Sequence, residues 1–435
     1  MTALLYAVGV LVFAVGVAAS IALHECGHMV PAKRFGVKVT QFFVGFGRTV
    51  WSTRRGETEY GLKAIPLGGY VKLVGMLPPA KGDDRPRQGN TGLFAQLVSD
   101  ARTAEYEHVG PGDQDRLFYR LAWWKKVVVM AGGPTVNLGI AFVLFAGIFG
   151  LYGTLEPTTT VQTVSRCVVP VQEEGRACTQ ADPPSPAYEA GLRPGDRIVS
   201  FNGTAVRDWQ DLVVLIRGNA DGAAVIGYER DGELLSASTS TTVRSVRSLD
   251  ADGAAAEGFE EAGFLGVEST VARERHGLLF TVEQMGSMTW ETVKALGALP
   301  VKVYGVAKAV VGLEERALDS PVSVVGAGRV AGEVTSDQTS PVVDRVVFLA
   351  SLLAGLNLFV GMFNFIPLLP LDGGHIAGAL YEAVRRGVAR VLRRPDPGHV
   401  DVAKLLPVAY VMASALLVMG LVLIVGDIVA PVRFG

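Results

Sequence analysis

The sequence predicts a polytopic α-helical membrane protein with four transmembrane helices, and three observations carry that expectation. Of 435 residues, 49% are hydrophobic and 19% charged, with a mean hydropathy of +0.33, too apolar for an ordinary soluble enzyme. Four runs, Ala3–Leu23, Val127–Tyr152, Val346–Leu371 and Leu405–Gly426, contain no Asp, Glu, Lys or Arg. Each meets the roughly 20-residue length that crosses a bilayer as a helix. The basic residues are segregated: positions 31–126 hold sixteen Lys or Arg and 372–404 hold six, while Arg166 stands alone between 153 and 172, and Arg433 alone after Gly426. The positive-inside rule then places both termini and the 153–345 region outside. A formal net charge of −2 carries no global basic signal, which argues against nucleic acid as a partner.

The first run reads as a retained helix. No Lys or Arg precedes Lys33, and the run exceeds the roughly 7–15 residue core of a signal peptide. It leads into Ile21-Ala22-Leu23-His24-Glu25-Cys26-Gly27-His28. Residues four apart share a helix face, so His24 and His28 can hold one zinc-type ion with Glu25 placed as base. Ionisable groups at membrane depth are costly and usually functional. His24 lies about 20 residues into its helix, roughly 30 Å along it, toward the cytoplasmic leaflet.

The third run travels in the same direction and ends in Asn364-Phe365-Ile366-Pro367-Leu368-Leu369-Pro370-Leu371-Asp372-Gly373-Gly374-His375. Two histidines are one ligand short of a catalytic zinc site. Asp372 is the acid at matching depth, with His375 a rival on chemistry alone; taken singly, Asp372-Gly373 also reads as a helix-terminating turn. Pro367, Pro370, Gly373 and Gly374 would break the helix, which a membrane tolerates only where backbone is buried in protein or lines a wet cavity.

His24-Glu25-x-x-His28 in a first membrane helix, with Asn364-x-x-Pro367 and Leu371-Asp372-Gly373-Gly374 in a later one, resembles the bacterial site-2 protease family of intramembrane zinc metalloproteases. The resemblance covers most of the chain. It implies Zn2+ on His24, His28 and Asp372, Glu25 as base, and Asn364 and Pro367 handling substrate backbone, which leaves His375 either supporting the ligands from behind or structural. It further implies cleavage of single-span membrane proteins near the cytoplasmic leaflet of the bacterial inner membrane, after another protease has shortened the substrate's external part. Anti-sigma factors and retained signal peptides are the substrate classes on that ground. The alternatives are a catalytically silent membrane scaffold and a membrane-tethered zincin degrading soluble misfolded proteins.

The remaining segments follow in order. Alternation predicts strands at 38–43, 49–52 and 58–65, a stretch that resembles the family's membrane-re-entrant β-sheet, with Gly45, Gly47, Gly68 and Gly69 as candidate substrate contacts. A helical substrate hides its peptide bonds, so a strand edge that accepts an unwound substrate meets a physical need. Sequence alone does not choose the edge. Residues 77–116 turn rich in Pro, Gly, Asp and Arg and read as a cytoplasmic insertion. The aromatics and cations of 116–126 suit a headgroup collar. Ala131-Gly132-Gly133-Pro134-Thr135-Val136-Asn137 opens the second helix, similar to a family signature; its glycines permit close packing, while Asn137 reads equally as packing or as a donor near the site.

Outside, Ser185 to Gly203 resembles one bacterial PDZ domain, with turns at Pro194-Gly195-Asp196 and Asn202-Gly203 and a helix at 209–216. Gly263-Phe264-Leu265-Gly266 is a candidate terminus-binding loop; a size filter without peptide binding is the alternative. Cys167 and Cys178 lie where disulfides persist, and their pairing stays open; Cys26 points off the ligand face. Val282, Met285, Val293 and Leu296 have helical spacing, for a helix on the outer leaflet or against the PDZ domain.

The expected fold is a polytopic α-helical membrane protein with four transmembrane helices, a membrane-re-entrant β-sheet and one extracytoplasmic PDZ domain. Its expected parts are 1–30 (first helix), 31–76 (β-sheet), 77–122 (insertion), 123–152 (second helix), 153–272 (PDZ domain), 273–343 (amphipathic region), 344–376 (third helix, with Asp372), 377–403 (cytoplasmic loop) and 404–430 (fourth helix).

Overall fold

The computed structural model describes residues 2–79, 93–106, 109–110, 112–169, 176–249 and 255–432. Positions 80–92, the Pro- and Arg-rich part of the expected insertion, fall outside the described residues. The chain divides into two compact units, Met1–Leu151 with Gly277–Gly435, and Tyr152–His276.

In chain order the elements are α1 (Thr2–Arg34), β1 (Val39–Arg55), β2 (Thr58–Leu73), α2 (Leu93–Tyr106), α3 (Trp123–Gly147, extended by a π-turn to Tyr152), β3 (Thr154–Val164), α4 (Pro186–Glu189), β4 (Arg197–Phe201), β5 (Thr204–Ala205), α5 (Trp209–Gly218), β6 (Ala223–Arg230), β7 (Glu233–Ser240), β8 (Thr242–Leu249), β9 (Ala255–Phe264), β10 (Val267–Glu274), α6 (Leu278–Val310), α7 (Val324–Ser336), α8 (Val342–Asn364), α9 (Asp372–Val391) and α10 (Leu406–Val429). Among the described residues, Thr2–Arg34, Trp123–Tyr152, Val342–Asn364 and Val402–Val429 are long and apolar enough to cross a membrane. Lys33 and Arg34 close α1, where cations complement the negative helix end.

In the first unit, α1 and α3 cross at glycines. A Cβ on Gly27 would lie 2.4 Å from the Gly132 carbonyl oxygen, so the backbones touch as small-residue membrane interfaces allow. Farther toward the N-terminus of α1, Gly9 does the same against α7, where a Cβ would lie 2.4 Å from Thr335 Oγ1. A core of Ala141, Phe145, Ile148, Phe149, Ala354 and Leu358 joins α3 to α8. A second core, with Ala32, Val37, Val39, Leu73, Phe118, Val129 and Met130, seats the hairpin against α1 and α3.

The hairpin differs from the three short strands expected. Val39–Val44 pairs with Leu73–Gly69 on one side and, through Gln41–Val44, with Glu59–Leu62 on the other, while Thr49–Arg55 pairs with Lys63–Thr58. Two long strands have folded back on themselves. Gly45 (φ +92°), Gly47 (+85°) and Gly68 (+82°) supply the bends, since only glycine takes this conformation at low cost. Sequence punctuation here meant a bend, not a strand end.

The third membrane segment also differs. α8 stops at Asn364, and Asp372 opens a separate helix, α9, whose 20 residues occupy much of the stretch expected as a loop at 377–403. Pro367 and Pro370 cannot continue α8. Gly373 and Gly374 pack the first turn of α9 onto the break, where a Cβ would lie 2.2 Å from the Ile366 carbonyl oxygen and 2.6 Å from the Leu369 nitrogen respectively. Farther along α9, buried Glu382 takes Lys126 Nζ of α3 at 2.7 Å, which fixes the helix that carries Asp372.

The second unit holds a sheet of order β10-β3-β4-β6-β7, with β5 beside β4 and a separate β8-β9 ribbon. Its core gathers Ile198, Phe201, Leu212, Ile226 and Leu265. Asp196 is buried, accepts two bonds from Arg230 at 2.7 and 2.8 Å and one from the Arg193 N–H. Burial opposes ionisation there, but these donors hold its carboxyl below the usual range. Asn202 and Gly203 make the positive-φ turn between β4 and β5. Cys167 and Cys178 are joined in a disulfide. The 263–266 segment is a packed corner, with Leu265 buried and its carbonyl accepting from the Ala187 N–H.

Candidate metal centre

α1 places His24 and His28 one turn apart, and the start of α9 brings Asp372 to them. His24 Nε2 and His28 Nε2 are 3.1 Å apart; Asp372 Oδ2 lies 3.5 Å from the first and 3.3 Å from the second. These three donors form the one such cluster of His, Cys, Asp or Glu among the described residues. Ligands about 2.0–2.2 Å from a tetrahedral ion stand about 3.3–3.6 Å from one another. Two edges fall in that range and the His24–His28 edge, at 3.1 Å, is about 0.2 Å short of it, so the residues fit a zinc ion with a fourth position left open.

The imidazoles are held from behind. His28 Nδ1 lies 2.8 Å from the Val129 carbonyl oxygen of α3, so Nδ1–H donates and the Nε2 lone pair faces the cluster. Such a partner fixes tautomer and ring orientation. Gly133 lies over both rings: a Cβ there would be 2.3 Å from His28 Nε2 and 2.7 Å from His24 Nε2. The expectation of close packing at this glycine was correct in kind, but it packs on the imidazoles as well as on backbone.

Glu25 is buried and lies against the backbone at Val71, with Cγ about one methyl contact from Gly69, whose Cβ would lie 3.2 Å away. A cleft of about 220 Å³ opens beside it, lined by Ser20, His24, Glu25, Gly68, Gly69, Asn137, Asn357 and Asn364, with Val17, Ile21, Leu356 and Val360 as its apolar wall.

Of the expected site residues, the fold gathers His24, Glu25, His28 and Asp372, and brings Asn364, Gly68 and Gly69 to the cleft. Pro367 is exposed in the break after α8, and Gly45 and Gly47 sit at the hairpin bends; none of the three lines the cleft. His375 faces a different crevice, with Lys126, Glu382 and Phe118, one α9 turn past Asp372. Asn137 does line the cleft. Sequence reading missed Ser20 and Asn357, although each is a polar residue in a charge-free run at helical spacing from a site residue: Ser20 four before His24, Asn357 seven before Asn364.

Two imidazoles on a membrane-length helix, completed by a carboxylate from a second helix and flanked by a buried glutamate, define a membrane-embedded metal-dependent hydrolase. The chain matches the model of peptidase family M50 over residues 12–393 and belongs to that family. It is 35% identical to zinc metalloprotease Rip1 of Mycobacterium tuberculosis over 442 residues, 99% of each chain. Its identity to zinc metalloprotease Rip1 of Mycolicibacterium smegmatis is 33% over 442 residues, 98% of this chain and 99% of the relative. Metalloprotease MmpA of Caulobacter vibrioides is 26% identical over 377 residues, 84% of each. The protein is a zinc metalloprotease of the site-2 protease family, with Zn2+ as its cofactor.

Proposed function

We propose that this enzyme hydrolyses peptide bonds in or near the transmembrane segments of single-span membrane proteins, with zinc held by His24, His28 and Asp372 and Glu25 as general base. The observation that carries the reading is the 3.1–3.5 Å donor triangle built onto a membrane-length helix. Zinc, when bound, supplies Lewis acidity and brings the pKa of a water toward about 7. Glu25 takes the proton from the attacking water and passes it to the nitrogen of the leaving amine. Asn364 and the backbone at Gly68 and Gly69 orient the substrate chain.

Among the described residues, Gly69–Leu73 pairs on one side only, with Val39–Val44, and Glu25 lies against the strand at Gly69 and Val71. A substrate strand added there replaces the hydrogen bonds it lost when its helix unwound. The hairpin exposes Phe46, Val50, Trp51, Leu62 and Ile65, a surface suited to re-entering the bilayer. The distribution of basic residues supports an inner-membrane topology with both termini and the Tyr152–His276 unit outside and the metal centre toward the cytoplasmic leaflet. The Ser185–Gly203 pattern supports a PDZ fold for that unit. With its 263–266 corner packed inward, a size filter is the better-supported role. Substrates shortened beforehand by another protease, such as anti-sigma factors or retained signal peptides, fit such a filter.

The test uses purified, zinc-loaded protein and its Glu25→Gln variant on a single-span model substrate and on casein. The expected outcome is cleavage of the membrane substrate by the wild type and none by the variant, with equal zinc content. Cleavage by Glu25→Gln overturns the base assignment, activity on casein alone favours a tethered zincin, and no activity at all favours a scaffold.

A further inference from the structure

Resting on the reading that the substrate reaches the metal as unwound backbone, we propose that Asn357, with Asn137 in the same cleft, is a substrate-binding residue whose side-chain carbonyl accepts a peptide N–H freed by unwinding. Both line the cleft. Asn357 is 1% exposed and Asn137 3%, and each has its Oδ1 buried with no hydrogen-bond donor among the described residues.

The orientation of the Asn357 amide is determined by its neighbours. Nδ2 donates to the Leu353 carbonyl oxygen at 2.8 Å and to Ser20 Oγ at 3.0 Å, and Ser20 Oγ donates onward to the Gly16 carbonyl oxygen at 3.0 Å. Reversing the amide would set two carbonyl oxygens against each other, so the unpaired atom is an acceptor. Asn357 thus spans α8 and α1 with its donor side, which leaves its acceptor side as the one available to a ligand in the cleft that the residue lines.

Buried acceptors in apolar surroundings nearly always find a donor. The donor this enzyme meets in every turnover is the substrate's own backbone. An α-helix holds its N–H groups internally; once unwound beside Gly69–Leu73, every second N–H points away from that edge. Those are the groups left without a partner. Asn357 and Asn364 are seven residues apart on α8, about 10 Å along the axis, which is about three residues of extended chain. Asn357 therefore meets the substrate a short way from the bond being cut, on the side nearer the outer leaflet, and Asn137 on α3 lines the same cleft.

The test combines Asn357→Thr with backbone-ester substrates. Threonine keeps a hydroxyl that bonds the i−4 carbonyl but is too short to offer the acceptor. Single-span substrates are made with one amide replaced by an ester at successive positions, which removes one N–H at a time. In the wild type, one ester position outside the Gly69–Leu73 contact lowers kcat/KM about tenfold, mainly through KM, as expected for one buried hydrogen bond. In Asn357→Thr the all-amide substrate shows the same loss, and that ester position no longer matters; zinc content and thermal stability match wild type. Asn357→Leu is the second variant should threonine fail to fold, with the same pattern expected. Equal kcat/KM in wild type and variant, or an ester penalty that persists undiminished in the variant, overturns the proposal while leaving the proposed function intact. A wild type that cleaves no membrane substrate overturns both.

Discussion

Replacing Gly133 by alanine asks whether the triangle of donors is held by packing. A Cβ at 133 would lie 2.3 Å from His28 Nε2, and 2.7 Å from both Cε1 and Nε2 of His24, against a comfortable separation of about 3.5–4.0 Å. Relief requires a movement of about 1 Å by one or both rings, or by α3. His28 cannot swing freely, because Nδ1 is bonded to the Val129 carbonyl oxygen at 2.8 Å and the residue is buried. Moving α3 away from α1 would give up the backbone packing at Gly27 and Gly132, where a Cβ on Gly132 would lie 1.9 Å from the Gly27 carbonyl oxygen. Overpacking of this kind costs about 1–3 kcal/mol, and disturbing the groups that orient a ligand typically weakens a metal about 10–100-fold. The assay is zinc bound per chain in graded chelator buffers, alongside cleavage of a membrane substrate. Gly139→Ala on the same helix is the control: nothing lies within 4 Å of its Cβ, and alanine is favoured over glycine by about 1 kcal/mol in a helix. Gly133→Ala that holds zinc with wild-type affinity and cleaves at the wild-type rate refutes the reasoning.

Glu382→Ala should lower stability by about 3–5 kcal/mol, because it leaves Lys126 charged and buried; chemical denaturation measures it. Burial pushes the Glu382 carboxyl up, but His399 and Lys126 outweigh burial and bring it down from 4.5 to about 2. Its stabilisation is therefore full above about pH 4.5 and lost as pH falls toward 2, so the wild-type melting temperature should drop more steeply over that range than that of Glu382→Gln; parallel curves would reject the coupling. Asp427→Ala should destabilise comparably, since Arg316 Nη2 lies 2.8 Å from Asp427, both are buried, and the Ser323 N–H donates to the same carboxylate at 2.6 Å. Unfolded, unreduced protein should show one free thiol, Cys26, rising to three on reduction; three without reduction would exclude the Cys167–Cys178 bond.

Local features were readable early because their physics is local. A charge-free run long enough to span a bilayer is a property of composition along one segment, and all four such runs became membrane-length helices. His24 and His28 share a face because helical geometry relates i to i+4 wherever the helix lies. The turns at Asn202-Gly203 and the helix after Asp208 followed from short-range backbone preferences in the same way. Where punctuation had two meanings, the reading was incomplete: the three expected strands fall on the pairing stretches 39–44, 49–55 and 58–63, but the 69–73 stretch was missed, because Gly45, Gly47 and Gly68 serve equally to end a strand or to bend one, and whether a partner strand awaits beyond the bend is a non-local question. The same ambiguity let Asp372 be placed at the end of the third helix when it begins the next.

The sequence by itself determined the four membrane-length helices and the shared helix face of His24 and His28 with Glu25 beside it, since each depends on residues a few positions apart. Only tertiary structure set Asp372 Oδ2 3.3–3.5 Å from both imidazoles while His375 faces another crevice, left Gly69–Leu73 paired on one side among the described residues, laid Gly133 on the imidazoles, and left Asn357 at the cleft with an unpaired carbonyl. Each of these depends on a distance between residues about a hundred or more apart, or on the side of a strand left without a partner, and such distances are set by how helices pack. No periodicity along the chain encodes them.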